Sequence, residues 1–195
     1  MQLRQRRPVD SKVRSFVLEE KKEDFPLVFQ DPISIILVSY TQDEAMTLRG
    51  VLECFNYRVE IHRVGSRPQF LEILRGNIPT FHHVLLSCHG EDGNFVIPYQ
   101  NSLTAVELAQ IVHLPNHIVV SLGCSTGTEA LAGAFLDGGC EAYVAPTGDV
   151  EANAAMLFAI HLYYFLEKKW PLDQAVEESR KHDAQCSLFK MWLPK

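Results

Sequence analysis

Three uninterrupted, β-rich apolar runs constrain this chain most: ISIILVSY (33–40), FHHVLLSC (81–88) and HIVVSLG (117–123). A strand with one wet face alternates apolar and polar residues, whereas runs this continuous belong to strands covered on both faces. Helix signals lie between and after them. Thr41 is placed to cap a helix through about Phe55, with Asp43 and Glu44 in the first turn, where the helix dipole favours acids. Pro68 opens a short helix over 68–75, and Ser102 stands as the cap of SLTAVELAQIV. A helix over 126–137 would be closed by Gly138 and Gly139. A long, largely apolar helix follows over 149–168, and Pro171 starts another to about His182. Residues 57–64 alternate like a strand, GEDGNFVIP reads as a turn with a short strand or hairpin arm, 140–145 as a fifth buried strand, and SLFKMWL as a last edge strand. Strands alternating with helices predict an α/β fold, a mostly parallel sheet with helices on both faces. Ligands of such sheets sit outside the carboxyl ends of the strands. Attention therefore goes to the loops after residues 40, 64, 88, 123 and 145.

The 195 residues suit one domain. Residues 1–30 read as an N-terminal arm, mobile or wrapped on the surface, and 31–195 as a single domain. The arm carries seven Lys/Arg and five Asp/Glu, which leaves the remainder at −8 within a total of −6. From Gly76 through Glu167 there is no Lys or Arg. A nucleic-acid surface needs basic side chains, so that partner class is excluded for the middle of the chain. No apolar run approaches the ~18 residues of a membrane span, and MQLRQRRPVD lacks the apolar core of a signal peptide. The expectation is a soluble, cytoplasmic protein without a membrane partner. Cys54, Cys88, Cys124, Cys140 and Cys186 form an odd set with no CxxC pair, which predicts reduced thiols rather than a disulfide framework.

Two strand ends carry chemistry. One run ends in Ser87-Cys88-His89-Gly90-Glu91-Asp92-Gly93, the other in Gly123-Cys124-Ser125-Thr126-Gly127. If the strands are neighbours, their backbones lie ~5 Å apart, and His89 meets Cys124 above the sheet edge. A thiol beside an imidazole makes a thiolate near neutral pH, and a helix N-terminus at 126 would favour it further. The amides of Gly90 and Cys124 are then available to a developing oxyanion. Cys88 and Cys140, inside or beside apolar runs, read as core. The same pentapeptide, GCSTG, also fits the G-x-S-x-G elbow of serine α/β-hydrolases. Ser125 would then be the nucleophile, with Asp149 or Asp173 and His161 or His182 completing a triad. Metal binding by Cys88, His89, Cys124, His82 or His83 lacks zinc-finger spacing. A dinucleotide site lacks G-x-G-x-x-G after the first strand, and a phosphatase loop lacks an Arg before Arg180.

An apolar strand ending in His-Gly, then one ending in Gly-Cys, resembles the caspase-like (clan CD) cysteine peptidases: caspases, gingipains, separases and bacterial CHAT domains. The likeness to CHAT domains extends through HVLLSCHG, LTAVELAQI, IVVSLGCSTG, LAGAFLDGGCEAYVAPTGDVEANAA and on to AVEESR, roughly residues 81–180. It implies a caspase-like three-layer sandwich, His89 as general base and acid, Cys124 as nucleophile, and the Gly90 and Cys124 amides as oxyanion donors. It implies no cofactor, and a polypeptide substrate or regulatory protein as partner. The caspase pentapeptide QAC[RQG]G is absent, and His89 and Cys124 are 35 residues apart rather than the caspase-like gap of about 50. A caspase-like domain can also act as a non-catalytic interaction module. Enzymes of this clan commonly select by charge the residue before the cleaved bond. Here Glu91, Asp92 and Asp149 stand on loops at the carboxyl edge, against Arg58, Arg63 and Arg67 farther away. Asp149 reads equally as a helix cap and as a pocket acid. The expected preference is Arg or Lys, or else a small residue, with poor cleavage after Asp.

Overall fold

The computed structural model describes residues 30–38, 42–100 and 102–195. The arm expected over 1–30, apart from Gln30, lies outside these residues. So do the cap Thr41 and the end of the run expected over 33–40.

Six strands form one sheet in the order β2-β1-β3-β6-β7-β8: β1 (Gln30–Leu37), β2 (Tyr57–Arg63), β3 (His83–Ser87), β6 (Ile118–Ser121), β7 (Ala142–Pro146) and β8 (Phe189–Trp192). The first five are parallel, and β8 runs antiparallel on the edge beside β7. β4 (His89–Glu91) and β5 (Asn94–Val96) make a separate hairpin. β1 begins three residues before the expected start. It accommodates Pro32, which has no N–H to give the ladder, by a register shift between Gln30 and Ile33.

The apolar runs divide by strict alternation. Ile33, Ile35 and Leu37 of β1, Leu85 of β3 and Val120 of β6 face α1 (Gln42–Cys54), α5 (Ala152–Glu167) and α6 (Leu172–Ser179). Ile36, Val84, Leu86 and Val119 face α2 (Arg67–Leu74), α3 (Ala105–Leu108) and α4 (Glu129–Asp137). Two cores on the two faces of one sheet make the three-layer sandwich that continuous apolar strands require.

Several helix starts fall downstream of expectation, those of α3 and α4 because a better cap lies there. α3 is a single turn opened by a capping box of Thr104 with Glu107, not by Ser102. α4 starts at Glu129, with Thr128 Oγ1 accepting from Leu131 N. α5 starts at Ala152 behind Glu151, which makes no side-chain cap. Asp149 is therefore not its cap, nor is Cys124 attached to a helix N-terminus at 126. Among the described residues no helix is long and apolar enough to cross a membrane.

Candidate active site

β3 and β6 are adjacent and parallel, with Leu86 opposite Ser121. Their carboxyl ends deliver His89 and Cys124 to the same edge of the sheet. Both line one open cleft of about 600 Å³, together with Gly90, Glu91, Asp92, Val96, Ser125 and Asp149. His89 opens β4 and is exposed, while Cys124 is half-buried against the α1/α5 core. In this arrangement the Cys124 thiol donates to Val150 O at 3.3 Å.

The loops that carry His89 and Cys124 touch through glycine. A Cβ on Gly90 would collide with Cys124 O and come within 2.6 Å of Thr126 Cγ2. A Cβ on Gly123 would lie 3.0 Å from Cys88 Sγ and 3.2 Å from Gly90 N. Only residues without side chains let these backbones approach so closely. Phe95 exchanges both of its backbone hydrogen bonds with Leu103, at 3.0 and 2.8 Å. Its pairing with Gly90 is thus the non-hydrogen-bonded kind, and the Gly90 amide turns away from β5. In the turn after β6, Gly123 N donates to Ser121 Oγ, Ser125 N to Gly148 O, Thr126 N to Gly123 O and Gly127 N to Pro146 O. The Cys124 amide makes no such bond among the described residues.

Beneath this turn lies a buried polar network. Thr126 Oγ1 donates to Gly123 O at 2.7 Å and lies 2.8 Å from Ser121 Oγ, while Tyr143 OH donates to Thr126 O at 3.1 Å. Cys88 Sγ is 3.8 Å from Ser121 Oγ, and burial pushes its thiol up to about 12. Burial likewise raises Cys140 to about 12 and Cys186 to about 11. Such thiols stay protonated at neutral pH and pack as small apolar groups. This matches the core reading of Cys88 and Cys140. Neither the network nor the role of Glu44 was read from sequence. Glu44 accepts from Ser87 Oγ at 3.0 Å, two residues before His89, and burial raises its pKa despite that bond. A serine at the buried end of the continuous VLL run is the signal that could have found it.

The rival assignments separate in space. Ser125 Oγ donates to Asp149 Oδ1 at 2.8 Å, a direct hydroxyl–carboxylate pair with no histidine between. His161 and His182 instead pack on each other, ring centroids 4.6 Å apart, in another pocket with Tyr164 and Glu178. Asp173 lies in the first turn of α6. His83 is buried in β3 and His82 is exposed, 3.3 Å from Glu141. Among the described residues no three His, Cys, Asp or Glu side chains are grouped to hold a metal. Arg67 pairs with Glu107 at 2.6 Å and Arg58 stacks 5.1 Å over Phe81. The described lining of the cleft contains three acids and no Lys or Arg.

The sequence matches the CHAT domain family over residues 1–185. No curated protein matches it. Similar solved structures include separase in the separase–securin complex of Saccharomyces cerevisiae, with TM-score 0.56 and 14% identity over 85% of this chain. They also include the Arg-specific cysteine proteinase gingipain R, with TM-score 0.59 and 12% identity over 84% of this chain. A complex of the pro- and mature domains of the Porphyromonas gingivalis proteinase gives 0.58 and 12%. The chain spans 12% of the separase chain and 46% of the gingipain chain, so it corresponds to a part of each. The shared fold is caspase-like, and the chain belongs to the CHAT domain family.

Proposed function

We propose that this protein is a cysteine endopeptidase with Cys124 as nucleophile and His89 as general base and acid. One observation carries the reading: His89, Gly90 and Cys124 line a single open cleft at the carboxyl edge of a caspase-like sheet. The thiol leaves Val150 O by rotation about its Cα–Cβ bond, and His89 takes its proton. The thiolate adds to the scissile carbonyl carbon, and the oxyanion is met by the N–H groups of Gly90 and Cys124. Collapse breaks the C–N bond while His89 returns the proton to the leaving amine. Water, deprotonated by His89, then hydrolyses the thioester. No cofactor takes part. The catalytic unit is residues 31–195, preceded by the 1–30 arm, and the unpaired thiols suit a reducing, cytoplasmic setting.

Glu91, Asp92 and Asp149 give the cleft an acidic wall, so the residue before the cleaved bond is Arg or Lys, with a small neutral residue next. A positional-scanning peptide library tests this: cleavage should follow Arg or Lys and vanish in Cys124→Ala, whereas dominant cleavage after Asp contradicts the charge argument. Survival of turnover in Cys124→Ala with loss in Ser125→Ala would move the protein to serine chemistry. The Val150 hydrogen bond favours a second reading, a regulatory module whose cleft docks a protein without cutting it. Such a module gives no cleavage of any library member.

A further inference from the structure

Ser125 adjoins the proposed nucleophile in a left-handed backbone conformation, φ 54°. Two bonds tie it to the loop after β7: its amide donates to Gly148 O at 2.9 Å, and its Oγ donates to Asp149 Oδ1 at 2.8 Å. Asp149 is exposed and caps no helix, so this hydroxyl is the partner that orients its carboxylate. A serine that has spent its one proton on a carboxylate keeps its oxygen lone pairs as acceptors. Asp149 keeps Oδ2. The pair therefore presents at least two acceptor atoms on one cleft wall, with no Lys or Arg among the described lining residues to neutralise them. Several acceptors in fixed relation suit a group with several N–H donors, and a guanidinium has five in a planar fork.

We propose that Ser125 is a specificity-determining residue, which fixes the Asp149 carboxylate and adds its own Oγ to the recognition of a basic side chain. The proposal rests on the reading of Asp149 as a pocket acid. It assigns the serine of GCSTG to recognition rather than to nucleophilic attack.

The test uses reversible ligands and needs no turnover. Nα-acetyl-arginine amide and Nα-acetyl-alanine amide are titrated into the full chain and followed by NMR chemical shifts. Wild type should bind the arginine ligand more tightly than the alanine ligand. Ser125→Gly removes the hydroxyl while suiting the positive φ, and should weaken the arginine ligand by roughly 2- to 12-fold, the loss of one hydrogen bond. It should leave the alanine ligand unchanged. Ser125→Asn tolerates the same φ and can donate to Asp149, so it should recover part of the loss. Equal weakening of both ligands, or no weakening of either, overturns the proposal by making Ser125 structural or irrelevant. Asp149→Asn separates the two readings. If it leaves arginine binding intact, or if wild type shows no preference for arginine over alanine, Asp149 is not a pocket acid and the proposal falls with it. If Asp149→Asn abolishes the preference and Ser125→Gly does not, only the assignment of Ser125 is wrong.

Discussion

Thr126 Oγ1 spends its proton on Gly123 O, which leaves Ser121 Oγ as donor of the 2.8 Å bond between the two hydroxyls. Ser121 Oγ in turn accepts from Gly123 N, so three residues close a fully satisfied, buried loop under Cys124. In a low-dielectric interior such networks fix one geometry, and an unpaired member is costly. Thr126→Val keeps the shape but leaves the Ser121 hydroxyl proton without its acceptor and Gly123 O with only the longer bond from Thr126 N. It should cost about 1–3 kcal/mol, read as a lower urea midpoint, while Thr126→Ser loses less. A Val variant as stable as wild type would show that the hydroxyl does not hold the turn. His89 and Cys124 were legible in the sequence because each closes an apolar run beside glycine. The Ser121–Thr126 network was not, because its partners are five residues apart on a turn whose shape is set by bonds to Pro146 and Gly148.

At the scale of elements, β3 carries a buried histidine that the proposed chemistry does not use. His83 is 7% exposed, and its Nδ1 has no hydrogen-bond partner among the described residues. Burial lowers it from 6.5 to about 4, helped by His82 and opposed by Asp31. The depressed value means that the unfolded chain takes up this proton first. The stability held above about pH 6.5 is therefore lost as pH falls toward 4. At pH 5 the loss from this group is about 2 kcal/mol. Urea midpoints at pH 7 and pH 5 should differ less in His83→Phe than in wild type, and an unchanged difference would remove His83 from the acid response. His82 is exposed because it precedes β3, whereas the burial of His83 within the strand was readable from the continuous run alone. The start of α4 was not. A helix over 126–137 satisfies local signals, yet Gly127 N goes to Pro146 O and Thr128 supplies the cap, so the turn stays open for three more residues. For the same reason Asp149 turns to Ser125 instead of capping α5.

For the whole molecule, the sheet order places the strand leading into Cys124 between the strand leading into His89 and the strand leading into Asp149. A parallel sheet thus gathers the proposed base, nucleophile and pocket acid, the outer two 60 residues apart, onto one edge without any of them being near in sequence. Burial raises three of the five thiols, and Cys54 sits exposed at the end of α1, away from the cleft. That contrast makes cysteine reactivity the most direct probe of the central claim, that Cys124 and His89 act as one unit. Site-resolved iodoacetamide labelling of the native chain at pH 7, read by mass spectrometry, measures it. Cys124 should react faster than each of the other four cysteines, and His89→Ala should slow it at least tenfold while His82→Ala does not. Labelling of Cys124 no faster than Cys54, or a Cys124 rate unchanged in His89→Ala, would contradict the account.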